Sequence, residues 1–189
     1  MLKRCSWVSD DPLYIDYHDH EWGVPIYDER LLFEFLILEG MQAGLSWLTI
    51  LKKRDNFRSA FDNFDAKKIA KYDQQRINKL LSNPGIIRNT LKIQSAITNA
   101  KAFLQIKKEL GSFSDYIWSF VEGKPVQNNY HLGQLPATSP ISDKLSKDLK
   151  KRGFKFVGST VCYAFMQAVG MVNDHTTACF RYKKIKNYL

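Results

Sequence analysis

Apolar residues along the chain recur three and four positions apart, while runs alternating apolar with polar, the mark of half-buried strands, are scarce. Asp28 is placed to cap a helix through Leu31, Leu32, Phe35 and Leu36 to about Gly40. Ser46 can cap the next, with Trp47, Ile50 and Leu51 on one face. Asp73 opens another, carrying Ile77, Leu80 and Leu81 and ending at Asn83-Pro84-Gly85. From Arg88 to Lys107, Leu91, Ile93, Ile97, Ala100 and Leu104 predict a long helix. A loop over Pro136–Pro140 precedes an exposed basic helix, Ser142–Lys151. Val161–Ala168 is nearly all apolar, which predicts burial on every side. The pattern is that of an all-α protein with short connections.

Length and charge sharpen this picture. At 189 residues a core can be buried without disulfide support, and one domain over 1–189, with two helical lobes sharing a cleft, is expected. No apolar run approaches the ~20 residues that span a bilayer. The basic start has no apolar segment behind it, so no membrane association and a cytoplasmic location are expected. A formal charge of +9 favours a polyanionic partner through steering and counterion release, although a solvated basic surface would give the same number. No heptad or exposed apolar seam is evident, and a monomer is expected.

Cys5, Cys162 and Cys179 are too few for a disulfide framework. Cys162, between Val161 and Tyr163, reads as core. His175 and Cys179 are four residues apart and would share a face if helical. With Cys5 and the pair His18 and His20 they offer two thiolates and two imidazoles, the donor set of a closed, structural Zn²⁺ site. The same cysteines also suit plain burial as small hydrophobes.

A Pro84-Gly85 turn between two helical patterns, followed by Ile86, Ile87 and Arg88, points backbone N–H groups outward. With the positive end of the next helix such groups suit a phosphate. Arg88 and Lys92 are spaced one turn apart, to add charge beside it. Near the N-terminus Trp7, Tyr14, Tyr17 and Trp22, then Glu39 and Trp47, combine aromatic rings with a carboxylate that must be partnered, exposed or functional. Such a set suits a flat, cationic, hydrogen-bonding ligand. An aromatic core with a solvent-facing glutamate is the plainer alternative.

Cys5-Ser6-Trp7-Val8, Asp11-Pro12-Leu13-Tyr14, Tyr17-His18-Asp19-His20-Glu21-Trp22-Gly23, Leu38-Glu39 and Gln42-Ala43-Gly44-Leu45-Ser46-Trp47 together resemble the bacterial 3-methyladenine DNA glycosylase I family. So do Leu51-Lys52-Lys53-Arg54, Gly85-Ile86-Ile87-Arg88, the stretch from Lys150 to Gly158, and Asn173-Asp174-His175. The likeness spans nearly the whole chain, apart from the loop near Gln127–Pro136 and the last residues. It implies a helix-hairpin-helix glycosylase fold, with one structural zinc ion on Cys5, His18, His175 and Cys179 joining the chain ends. It implies hydrolysis of the N-glycosidic bond of 3-methyladenine in alkylated double-stranded DNA, leaving an abasic site. Glu39 would read the base, Tyr17 and Trp47 would stack on it, and Tyr14 and Trp22 would lie nearby. Gly44 and Leu45 would fill the gap in the duplex, and Gly85, Ile86, Arg88 and Lys92 would face the DNA backbone.

Most helix-hairpin-helix glycosylases carry a catalytic Asp on the helix after the hairpin, yet Arg88–Lys107 contains none. Alkylation at N3 makes the purine cationic and weakens its glycosidic bond, so extrusion, binding and access of water would suffice. Two other readings fit parts of the pattern. One is a zinc-stabilised DNA-binding protein without catalysis; the other is an enzyme of this fold acting on another lesion or a free nucleobase.

Overall fold

The computed structural model describes residues 2–131 and 135–186, so part of the Gln127–Pro136 loop lies outside the described residues. The chain opens with α1 (Pro12–His20) and α2 (Glu29–Gln42), and continues through α3 (Trp47–Leu51) and α4 (Arg54–Ala60). After a tight turn at Asp62–Phe64 come α5 (Ala66–Ile69), α6 (Gln74–Leu81) and the long α7 (Thr90–Leu110). Then follow α8 (Phe113–Trp118), β1 (Val126–Gln127), α9 (Pro140–Lys151), α10 (Ser159–Ala168), β2 (Val172–Asn173) and α11 (Phe180–Lys186). The protein is mostly helical, as its periodicity predicts. The exception among the described residues is a short parallel ladder, Val126 opposite Val172 and Gln127 opposite Asn173.

Local capping explains the helix starts. Asp28 accepts from the Leu31 N–H at 2.8 Å, Ser46 from Thr49 at 3.2 Å and Asp73 from Arg76 at 2.8 Å. The long helix begins at Thr90, later than its apolar pattern predicts, because Asn89 takes the cap and accepts from the Lys92 N–H at 3.1 Å. The basic helix begins earlier than predicted, at Pro140, where Ser139 and Ser142 form a reciprocal capping box. Helix α1 is not apparent from apolar spacing; Asp11 and Pro12 start it, and aromatic and charged residues fill it.

Helix α2 is buried continuously from Leu32 to Met41, so it needs neighbours on all sides, and α7, α8 and α10 supply them. Within that run Glu34 is fully buried and paired with Arg30, Arg54 and Arg58. Arg54 also reaches Glu21 at 2.6 Å and lies over the Phe35 ring. It thereby pins the end of α1 and the start of α4 to the central helix. Removing one partner from such a buried set costs about 3–5 kcal/mol.

The two chain ends meet. Phe180 N–H donates to the Lys3 carbonyl at 2.9 Å, and Ile26 N–H to Val169 at 3.0 Å. Gly170 sits at φ +73°, and a Cβ there would come within 2.5 Å of the Val24–Pro25 backbone. The expectation that α10 is buried on every side is corrected: Ala164 and Gln167, one turn apart, face a cavity. No helix among the described residues is long and apolar enough to cross a membrane.

Candidate active site and metal centre

The meeting of the ends brings Cys5, His18, His175 and Cys179 together, all buried, with their ligand atoms within 4.8 Å of one another. Cys179 Sγ lies 3.5 Å from His18 Nε2 and 3.6 Å from His175 Nδ1, and Cys5 Sγ lies 3.6 Å from the same His175 nitrogen. Ligands at zinc distances on tetrahedral corners would stand roughly 3.6 Å apart, sulfur to nitrogen. The donor set and its spacing therefore fit a tetrahedral metal ion.

The surroundings orient each ligand. His18 Nδ1 faces Asp19 Oδ1 at 2.7 Å and His175 Nε2 faces the Trp22 carbonyl at 3.0 Å. Both partners only accept, so each ring donates outward and turns its bare nitrogen inward. Desolvation works against the Asp19 carboxylate, but bonds from Arg4 and His18 hold its pKa down to about 2. The His175–Cys179 segment is not helical; a bend and turn occupy it. Cys179 N–H donates to the Thr176 carbonyl at 2.8 Å, and this turn brings the two side chains together. His20 points elsewhere, to Asp16 on an exposed face.

Beside the cluster lies a cavity of about 170 Å³, lined by Trp7, Tyr14, Tyr17, Trp22, Glu39 and Trp47 among others. Trp22 belongs to both sites: its carbonyl accepts from His175, while its ring packs on that histidine at 4.7 Å and lines the cavity. Tyr17 and Trp47 form a tilted pair at 5.6 Å. Trp7 packs against Tyr14 at 5.0 Å and Trp22 at 4.9 Å.

Glu39 is 4% exposed and has no hydrogen-bond or ion-pair partner among the described residues. Burial alone pushes its carboxyl up to about 8. Burial and then Glu39 also raise the Tyr14 and Tyr17 phenols. The indole N–H groups of Trp7 and Trp47 are buried without an acceptor among the described residues. Sequence reasoning named the rings and Glu39 but missed Gln42, Leu135, Ala164 and Gln167, which complete the lining. For Gln167 a signal existed: it is the one strongly polar side chain in the apolar run Val161–Ala168. A larger surface cleft of about 1040 Å³ between Asp28, Asp62, Lys68 and Lys107 lies elsewhere and carries charges of both signs.

The segment after α2 forms an exposed tip. Gly44 adopts φ +80°, and Leu45 is 41% exposed. Under this tip lies Lys92, whose Nζ donates to the Met41 carbonyl at 2.8 Å and the Ala43 carbonyl at 2.6 Å. The expectation that Lys92 stands beside Arg88 at the hairpin is thereby corrected. Because α7 starts only at Thr90, Arg88 precedes the helix and is exposed, while position 92 falls on the buried face. In the hairpin, Ile86 is buried as an anchor. Gly85 packs so that a Cβ would meet Asn83 at 3.0 Å and Asn56 at 3.1 Å. The Gly85 N–H is taken by the Asn83 side chain at 2.8 Å and the Ile86 N–H by the Asn83 carbonyl at 3.4 Å.

A family model described as methyladenine glycosylase matches residues 7–182. A curated relative, DNA-3-methyladenine glycosylase 1 of Escherichia coli (strain K12), is 53% identical over 182 residues, covering 96% of this chain and 97% of its own. A crystal structure of 3-methyladenine DNA glycosylase I matches with a TM-score of 0.92 at 55% identity, over 94% of this chain and 98% of that one. A variant of 3-methyladenine DNA glycosylase I solved in complex with 3-methyladenine matches with a TM-score of 0.91 at 39% identity, over 94% and 96% of the two chains.

Proposed function

This chain belongs to the methyladenine glycosylase family, and from that premise we propose that it hydrolyses the N-glycosidic bond of 3-methyladenine in alkylated double-stranded DNA. The free base is released and an abasic site remains. The observation that carries this reading is Glu39: a buried carboxyl without a partner among the described residues, at the wall of a cavity lined by Tyr14, Tyr17, Trp22 and Trp47. The cavity is smaller than the roughly 300–1,000 Å³ of drug-sized sites and suits one flat base.

N3 alkylation gives the purine a positive charge. Its entry supplies the partner that Glu39 lacks, and as the cation arrives the carboxyl releases its proton to solvent water and pairs with it as a carboxylate. The rings stack on the base and attract its charge. Bond cleavage leaves a neutral base, and binding that favours the cleaving state over the intact nucleotide accelerates the step. No aspartate is needed on α7 because the leaving group is already activated.

The remaining roles follow from position. Gly44 and Leu45 enter the gap left by the extruded nucleotide. Gly85, Ile86 and Arg88 hold a phosphate as part of a helix-hairpin-helix motif, and Lys92 acts beneath the Gly44–Leu45 tip. Cys5, His18, His175 and Cys179 bind one structural zinc ion, which supplies cross-linking of the chain ends and no chemistry. The chain works as a monomeric single domain over residues 1–189, its two helical groups flanking the cavity.

Release of 3-methyladenine from methylated duplex DNA, resolved by chromatography, tests the reading with wild type, Glu39→Ala and Trp47→Ala. Wild type should release the base, and both folded variants should lose most of that activity. DNA binding without release by wild type would instead indicate a non-catalytic DNA-binding protein.

A further inference from the structure

Gln167 interrupts the apolar run of α10 and lines the cavity. Its Nε2 donates to Asp174 Oδ2 at 2.8 Å. Asp174 is 1% exposed. It accepts two more bonds, from the Tyr163 hydroxyl at 2.7 Å and from Asn128 Nδ2 at 2.7 Å. An ionised carboxylate only accepts. Turning the Gln167 amide over would set Oε1 against Asp174, replacing a bond by repulsion between two acceptors. The orientation of the amide is therefore dictated by its partner. The short ladder supports this lock: it pairs Gln127 with Asn173, so the next residues, Asn128 and Asp174, emerge side by side.

With one Nε2 hydrogen given to Asp174 the amide cannot turn over, so Oε1 is held at its other end, and that atom has no hydrogen bond among the described residues. Gln42, which also lines the cavity, has no such lock and can present either end of its amide. We infer that Gln167 is a specificity-determining residue that presents a fixed acceptor to the 6-amino group of the bound purine, with Asp174 as its positioning residue.

This inference rests on the proposed excision of 3-methyladenine and concerns what that site rejects. Adenine carries an amino donor at position 6, whereas guanine carries a carbonyl acceptor there. A 6-carbonyl facing Oε1 would leave two buried acceptors opposed and unpaired. Sites built to hydrogen-bond one functional group discriminate strongly against an analogue that cannot.

The test is the single-turnover release of 3-methyladenine and of 3-methylguanine from the same methylated duplex by wild type, Gln167→Leu, Gln167→Met and Asp174→Asn. Either Gln167 variant should lower the preference for 3-methyladenine by about tenfold, the worth of one ordinary hydrogen bond. Most of the loss should fall on 3-methyladenine. Asp174→Asn can donate toward Gln167 and free its Nε2 to face the cavity, so 3-methylguanine release should rise relative to 3-methyladenine. A purely structural Asp174 would lower both rates together and leave their ratio alone. Because His175 follows Asp174, metal content and melting temperature accompany each measurement. The Gln167 variants, remote from the metal ligands in sequence, decide the matter if Asp174→Asn loses its metal. A folded Gln167→Leu or Gln167→Met with its ratio within about twofold of wild type, less than a hydrogen bond is worth, overturns the inference alone. Wild type that releases neither base overturns the glycosylase reading itself.

Discussion

The Cys5–His18–His175–Cys179 cluster and the cavity lie side by side, draw on adjacent residues of α1, Tyr17 and His18, and share Trp22 as a wall. Both are buried, and both contain titratable groups. They differ in how those groups are partnered. In the cluster each histidine commits its outer nitrogen, to Asp19 or to the Trp22 carbonyl, and Asp19 is held in turn by Arg4. Among the described residues Glu39 in the cavity has no donor, and the indole N–H groups of Trp7 and Trp47 have no acceptor. Burial alone therefore does not separate structure from function; satisfaction does. Groups whose partners are all protein hold the fold, while groups left open in a cavity give up stability that a ligand restores.

The largest expected effect comes from the satisfied site. If the cluster holds the proposed zinc ion, Cys179→Ser should take it from one ion per chain to none by elemental analysis. The ion's binding energy is folding energy, so several kcal/mol should go with it. At about 2–4 °C per kcal/mol for a chain of this size, the melting temperature should fall by more than about 10 °C. Excision should fail as a consequence, since Trp22 would lose its anchor. A variant that kept its melting temperature while losing the ion would erase the distinction drawn between the two sites.

Glu39→Gln should act in opposite directions on activity and stability. Excision should drop by about 100-fold or more, the scale of losing a preorganised charge from a buried site. Stability should change with pH in a defined sense. Burial raises the carboxyl from 4.5 to about 8, so the folded state holds the proton more tightly than the unfolded chain does. The stability this contributes is complete below about pH 4.5, declines as the pH rises and is gone above about pH 8. Glutamine has no proton to lose. Urea unfolding should therefore show the variant gaining on wild type between about pH 5 and pH 9, because each tenfold difference in proton affinity between the two states is worth about 1.4 kcal/mol. Equal relative stability at both pH values would contradict the view of Glu39 as an open, unpartnered group.

Lys92 offers an intermediate case. Its ammonium is satisfied by two carbonyls at the end of α2, so it belongs with the structural groups although it supports an exposed tip. Burial lowers its pKa, but the carbonyls fix its place. Lys92→Met should leave the metal content unchanged and lower stability by about 1–3 kcal/mol, the cost of leaving buried carbonyls unpaired. Excision should fall about tenfold, as the Gly44–Leu45 tip loosens by an amount comparable to one hydrogen bond. An excision rate equal to wild type would separate the tip from the reaction.

The helical class and several helix starts could be read directly, because Asp28, Ser46 and Asp73 cap through local bonds that sequence spacing encodes. The residues of the cluster could also be named, although the segment joining His175 to Cys179 is a turn and not a helix. Partnering could not be read, because it is set by contacts between distant elements. Nothing near Lys92 in sequence points to Met41 and Ala43. Nothing near Gln167 points to Asp174 until the two-residue ladder fixes Asn128 beside it. That ladder is too short to leave an alternating pattern. Asn89, a better cap than Arg88, displaced the start of α7 and with it the face on which Lys92 falls.

The smallest effect belongs to Arg88, which sequence spacing grouped with Lys92 and the fold separates from it. Arg88 is exposed at the hairpin, while Lys92 is 7% exposed beneath the Gly44–Leu45 tip. If Arg88 neutralises a DNA phosphate, Arg88→Ala should weaken binding several-fold at moderate salt and reduce the slope of log affinity against log salt by about 1. The loss should be the same for damaged and undamaged duplex, because a phosphate contact carries no base information. Lys92→Met should leave that slope unchanged, since its charge is already engaged by protein carbonyls. Fluorescence anisotropy across a salt series with both variants distinguishes the lysine role from the arginine role. If both slopes shift together, Lys92 faces DNA after all and the division between satisfied and open groups fails at the hairpin.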